Sequence, residues 1–174
     1  CDTWENPGIL VSGHDLQDIE DLLEQTADTG IDIYTHGEAL SVHAYPAMKK
    51  YFNLVANYGS AWQCQKTEFP KFNGPILVTT NSIQQPKKTY QEKLFSTGMV
   101  SWPDVPHIAD RKPGQRKDFS AIIDIAKQAD APTPLTEGVS GTGYGRHSLS
   151  GLLGKVAAGL KADKIKRIIV LAGT

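Results

Sequence analysis

The chain has 174 residues, 40% of them hydrophobic and 21% charged, with a net charge of −1 at pH 7. That length supports one domain with a real core, and the composition is globular rather than disordered. The near-neutral balance without a basic block argues against nucleic acid or an anionic membrane as partner. No apolar run nears the roughly 20 residues of a spanning helix, and no charged-then-apolar leader is visible. The two cysteines, Cys1 and Cys64, make no disulfide framework, so a cytoplasmic chain is expected.

In chain order, residues 1–7 read as irregular and residues 9–12 as a short buried strand. Gly13-His14 turns the chain, and Asp15 can cap the helix that follows. Leu16, Ile19, Leu22 and Leu23 recur at helical spacing, with acidic residues between them, until Asp28-Thr29-Gly30 stops the run. Residues 31–35 are the second strand, ending on His36-Gly37-Glu38. A helix is expected within residues 40–51 and a strand over 53–58. Gly59-Ser60 then opens a helix to about residue 68, with Trp62 as its anchor. Residues 76–79 form the third clear strand, running into Thr80-Asn81-Ser82.

Residues 94–97 suit a further strand. Residues 101–114, rich in proline, suit a long surface excursion, and residues 119–128 an amphipathic helix. Residues 131–145 read as loop and 148–160 as a helix with Leu149, Leu152, Leu153 and Val156 on one face. The final strand is expected over 167–174. Strands alternate with helices throughout. The fold class is therefore α/β: a three-layer, Rossmann-like parallel sheet of five or six strands with helices on both faces. No second core is visible, so residues 1–174 are taken as a single domain. Both ends look cut, so a piece of a longer protein is expected.

The chemistry-bearing residues fall at strand ends, where ligands of such sheets bind. His14 and Glu38 could ligate one metal ion, with Asp15 or Asp32 orienting the imidazole. The plainer reading makes His14 a helix-entry residue and Glu38 a solvated one. His36 and His43 flank Glu38, but the Pro-Cys-x-x-Cys that a zinc deaminase needs is absent from the sequence. Residues 138–145 are glycine-rich and precede a helix, yet lack the Gly-Lys-Ser/Thr of a phosphate loop. Ser82 has no Gly-x-Ser-x-Gly elbow. Cys64 reads as packing.

Beyond these features, Pro7-Gly8-Ile9-Leu10-Val11-Ser12-Gly13-His14-Asp15-Leu16 resembles the hybrid-cluster protein family, also called prismane protein or hydroxylamine reductase. So do Gly30-Ile31-Asp32-Ile33-Tyr34-Thr35-His36-Gly37-Glu38 and Phe72-Asn73-Gly74-Pro75-Ile76-Leu77-Val78-Thr79-Thr80-Asn81. Lys166-Arg167-Ile168-Ile169-Val170-Leu171-Ala172-Gly173 continues the match, in the right order. Carbon monoxide dehydrogenase catalytic subunits are similar more distantly.

The resemblance implies a three-domain protein of which this chain is the middle, Rossmann-like domain. It implies an iron–sulfur–oxygen hybrid cluster between domains and a 4Fe-4S cluster in the amino-terminal domain. His14 and Glu38 fall on iron ligands of the hybrid cluster. Ser82 and Thr174 fall where the family's Thr-Thr-Asn-Cys and Ala-Gly-Cys supply sulfur, so both cofactor positions are substituted here. Serine is a hard oxygen donor and a poor replacement for thiolate. The implied activity is reduction of hydroxylamine to ammonia, or of nitric oxide, with electrons from a redox partner. This chain alone is expected to assemble no hybrid cluster. Two other readings stand beside that one. The chain could be a metal-free, non-catalytic scaffold whose rim docks the missing domains and can self-associate. It could instead hold a mononuclear metal at His14 and Glu38 with His36 or His43.

Overall fold

The computed structural model describes residues 3–80, 83–136, 138, 141 and 144–170. Six parallel strands form one sheet: β1 (Gly8–Ser12), β2 (Asp32–His36), β3 (Leu54–Asn57), β4 (Ile76–Val78), β5 (Leu94–Thr97) and β6 (His107–Ile108). Their spatial order is β3-β2-β1-β4-β5-β6, so the chain winds one way from β1 to β3, then returns to β1 and winds the other way. The reversal lies between β1 and β4, which are direct neighbours, with Ser12 opposite Val78. Such a reversal splays the two following loops apart and opens a crevice at the carboxyl edge.

Alternation along the strands builds two cores. Ile9, Val11, Ile33, Leu77 and Phe95 face one layer, where α1 (Leu16–Thr26) contributes Ile19, Leu22 and Leu23. A later helix, Ser120–Ala126, adds Ile122, Ile123 and Ala126 to that layer. Leu10, Tyr34, Ile76, Val78 and Leu94 face the opposite layer, against Tyr58, Phe69, Phe72 and Tyr90. Strands buried on both faces explain why these segments read as nearly unbroken apolar runs.

Several local expectations are corrected. Residues 40–51 hold no α-helix; a 3-10 helix over Gly37–Ala44 ends at Tyr45, whose extended backbone is what a following proline, Pro46, favours. The segment after Gly59 is broken into a 3-10 turn at Trp62–Cys64, α2 (Gln65–Glu68) and a second 3-10 turn at Phe69–Lys71. Pro70 imposes the second break. The anchor there is the buried Phe69, while Trp62 is 39% exposed. A four-residue helix, α3 (Lys88–Gln91), precedes β5. The excursion at 101–114 is not purely surface, because it contributes edge strand β6. α4 is the helix at Ser120–Ala126 named above.

The carboxyl-terminal part departs most. The single helix expected over 148–160 is two, α5 (Arg146–Ser150) and α6 (Leu153–Lys161), separated at Gly151 and Leu152. Its leucine face is not packed: Leu149, Leu152, Leu153 and Leu160 are exposed. The described part of the final strand, residues 167–170, has no regular structure and joins no sheet, and Ile168, Ile169 and Val170 are exposed. A Val/Ile run signals a strand that wants burial on both faces, but not which sheet supplies it. Among the described residues, no helix is long and apolar enough to cross a membrane.

Candidate metal centre at the switch point

β1 and β2 run in register, with Ser12 opposite His36. Each strand then ends the same way. Ser12 is followed by Gly13 at φ 107° and His14; His36 is followed by Gly37 at φ 59° and Glu38. Two left-handed corners in register thus launch His14 and Glu38 from adjacent strand ends. The side chains meet, with His14 Nε2 3.2 Å from Glu38 Oε2.

The Gly13 corner admits no side chain. A Cβ there would lie 2.5 Å from Thr79 Oγ1 and 2.8 Å from the Thr80 backbone nitrogen. That closeness lets the loop after β4 cross directly over β1. The His14 N–H donates to Thr80 Oγ1 (3.0 Å) and the Asp15 N–H to Thr79 Oγ1 (3.3 Å). The Thr79 N–H in turn donates to the Ser12 carbonyl. His14 therefore sits at the strand reversal, tied to the loop that leads toward Ser82. Ser82 and Thr174 themselves lie outside the described residues.

Asp15 caps α1 by accepting from the Asp18 N–H at 3.0 Å, as its position after the corner suggested. It is thereby committed to the helix rather than to the His14 ring. Asp32 is at the opposite end of β2, where it accepts from Asn6 Nδ2. Burial pushes its carboxyl above the ordinary 3.8, a bond from Asn6 opposing. It is no orienting partner for His14.

His36 and His43 are likewise engaged elsewhere. His36 is fully buried, with Nε2 2.9 Å from Glu68 Oε2 and Nδ1 3.3 Å from Ser12 Oγ. Burial lowers its pKa below 6.5, with Glu68 opposing. His43 Nε2 lies 2.8 Å from Thr35 Oγ1, and burial with nearby Lys49 lowers its pKa too. Among the described residues, no three His, Cys, Asp or Glu side chains gather as a metal-holding group. The mononuclear arrangement with His36 or His43 as third ligand is therefore not formed.

The donor pair itself fits a metal. Two donors about 2.0–2.2 Å from one ion, at octahedral or tetrahedral angles, stand about 2.8–3.6 Å apart, which spans the His14–Glu38 separation. One imidazole and one carboxylate are ligands that iron accepts. The side chains are 50% and 30% exposed, so their contact adds little to stability as an ion pair. What the pair offers is accessible coordination at the carboxyl edge of the sheet.

Comparison with known proteins bears on which group that would be. A sequence profile described as the Prismane/CO dehydrogenase family matches residues 2–174. The chain belongs to this family. A hydroxylamine reductase of Halothermothrix orenii is 52% identical over 167 residues, 96% of this chain and 30% of the relative. Hydroxylamine reductase 2 of Clostridium acetobutylicum is 51% identical over 169 residues, covering 97% of this chain and 30% of its own. The chain thus spans about 30% of the length of these Prismane/CO dehydrogenase family relatives.

Sequence reasoning brought the two residues together, because each follows a glycine at a strand end. It missed the network behind the pair. Glu68 is 30 residues beyond Glu38 in a broken helix, and no local pattern marks it. It also missed a cluster of buried Asp18, Asp21 and Lys117 with the partly exposed Arg111, which joins α1 to the segment after β5.

Proposed function

We propose that this chain is the central domain of a hybrid-cluster protein, an iron–sulfur oxidoreductase that reduces hydroxylamine to ammonia or acts on nitric oxide. The observation that carries the reading is the His14–Glu38 pair, two iron-type ligands 3.2 Å apart at the adjacent ends of β1 and β2 in a Prismane/CO dehydrogenase family sheet. Ser82 and Thr174 are the positions at which the family's cysteines would add sulfur. The remaining ligands, and a 4Fe-4S cluster near the amino terminus, belong to regions of the relatives that this chain does not span.

When bound, the hybrid cluster supplies electrons; hydroxylamine reduction takes two electrons and two protons and yields ammonia and water. The chain's own part is to hold geometry. The Gly13 and Gly37 corners aim the imidazole and the carboxylate, and the Thr79-Thr80 loop fixes the His14 backbone. The test is anaerobic iron and sulfide analysis, with electron paramagnetic resonance, of the full-length protein that carries this chain. His14→Ala and Glu38→Gln should each lose the hybrid-cluster signal while keeping the 4Fe-4S signal. Retention of both signals would refute the assignment. Reconstitution of the 174-residue chain alone should bind no stoichiometric iron and show no charge-transfer band.

A second reading is favoured by the exposed apolar side chains. Met99 and Trp62 follow strand ends at the carboxyl edge, and the leucines of α5 and α6 lie open. In isolation the chain is then a metal-free scaffold whose apolar surface docks the remainder of the protein, and it self-associates. Size-exclusion runs over a range of concentrations check this; an unchanging monomer would count against it.

A further inference from the structure

Behind the His14–Glu38 pair, one carboxylate gathers three donors. Glu68 Oε2 accepts from the Ser60 N–H (3.1 Å) and lies 2.9 Å from His36 Nε2, while Oε1 accepts from Ser60 Oγ (2.8 Å). Glu68 thereby joins the end of β2 to the loop after β3. Ser60 passes the constraint on, since its carbonyl accepts from the Gly37 N–H at 3.1 Å. Gly37 is the corner from which Glu38 departs. On the other side, His36 Nδ1 meets Ser12 Oγ, and Ser12 precedes the Gly13 corner of His14. With Glu68 as carboxylate, Nε2 carries the ring hydrogen and Nδ1 accepts from the Ser12 hydroxyl.

The chain Ser60–Glu68–His36–Ser12 therefore ties together the residues just ahead of both corners. Its members are themselves immobilised. Phe69, next to Glu68, is buried with its ring edge-on to the His36 ring at 4.9 Å. Gln65, one turn before Glu68, places Nε2 3.5 Å from Ser12 Oγ, and its Oε1 accepts from the Gln84 N–H. A buried imidazole and a carboxylate with three polar contacts converge on two backbone corners. Packing alone would not need such an arrangement.

We infer that Glu68 and His36 are positioning residues for the His14–Glu38 pair: through Ser60 and Ser12 they fix the two glycine corners that set the ligand separation. This rests on the reading of His14 and Glu38 as iron ligands. Partners that orient ligands from behind change metal affinity or activity by about 10–100-fold when removed.

The test uses the full-length protein, purified anaerobically, and three variants. Glu38→Gln tests the ligand reading itself. Glu68→Gln keeps size and one acceptor but loses the charge that holds His36 and Ser60. Ser12→Ala removes the hydroxyl beneath His36 and, being smaller and buried, leaves the fold intact. Iron content, the cluster's electron paramagnetic resonance spectrum and the kcat and KM for hydroxylamine are measured for each. Glu68→Gln and Ser12→Ala should be folded, with a shifted hybrid-cluster spectrum and kcat/KM lowered tenfold or more for Glu68→Gln. Unchanged spectra, with kcat/KM within twofold of wild type in a folded Ser12→Ala or Glu68→Gln protein, would overturn the inference. A Glu38→Gln protein with the wild-type spectrum would instead overturn the ligand reading.

Discussion

Replacing Lys117 by methionine tests how the rim is held rigid. The Lys117 ammonium is 3% exposed and donates to Asp18 Oδ2 at 2.8 Å and to Thr97 Oγ1 at 2.6 Å. Asp18, in the first turn of α1, is fully buried, and its other oxygen accepts from Arg111 at 2.6 Å. Arg111 also reaches Asp21 Oδ2 at 3.0 Å, and the Lys117 N–H donates to the same oxygen. Two buried carboxylates thus pull the excursion after β5 onto the helix that begins beside His14. Removing one partner of a buried pair costs about 3–5 kcal/mol, because the other charge is left uncompensated. Arg111 still neutralises part of Asp18, and the methionine keeps the apolar stem packed, so the low end applies: about 3 kcal/mol. With a urea slope of about 2 kcal/mol per molar, the unfolding midpoint should fall by about 1.5 M. Arg111→Met should cost less, since the guanidinium is one-third exposed and Lys117 remains. In the double variant Asp18→Asn/Lys117→Met the two losses should be less than additive. A Lys117→Met midpoint within about 0.3 M of wild type, at an unchanged slope, would refute the reasoning.

Other outcomes follow from single features. Gly13→Ala combines a φ of 107° with a Cβ 2.5 Å from Thr79 Oγ1, so it should destabilise by about 2–4 kcal/mol and displace the loop after β4, read by urea titration and by hydrogen exchange at Thr79 and Thr80. Phe69→Ala empties a buried site between His36 and Tyr90 and should cost about 3–5 kcal/mol, measured the same way. Burial depresses the pKa of His43 below 6.5, so the unfolded chain takes up the proton first as pH falls. Stability should decline from about pH 6.5 downward, and His43→Gln should flatten that slope. For Asp21, burial alone would raise the pKa, but bonds from Lys117, Arg111 and Gln17 outweigh it and hold it below 3.8. Its contribution is present above pH 3.8 and lost as pH falls further, a loss that Asp21→Asn should abolish in acid titration.

The sheet was legible because its strands are buried on both faces and read as apolar runs between helical periods. Ile9 to Ser12, Ile33 to His36 and Ile76 to Val78 each carry that mark. The strand order was not legible, since parallel strands are joined by crossovers whose direction no residue encodes locally. Segments with proline failed for a known reason: Pro46 and Pro70 deny a helix its backbone donors, and the periodicity on either side cannot show that. The run at 167–170 has the same apolar signature as β1 and yet joins no strand here. Hydrophobic pattern reports that a segment wants burial, not where burial is supplied.

The site divides along the same line. The nearness of His14 and Glu38 was legible because each lies beside the glycine corner that presents it, so side chain and corner are neighbours in sequence. Glu68 was not, because its work is done across 32 residues, through a His36 that the sequence offered only as a flanking histidine. The two strand ends are in register, and the two corners have the same form. A shift in the β1–β2 backbone register therefore moves both members of the pair together rather than one against the other. Glu68 is different: it reaches the Gly37 corner directly through Ser60, and the Gly13 corner only through His36 and Ser12. The separation of the pair should accordingly be more sensitive to Glu68 than to any single backbone contact shared by β1 and β2.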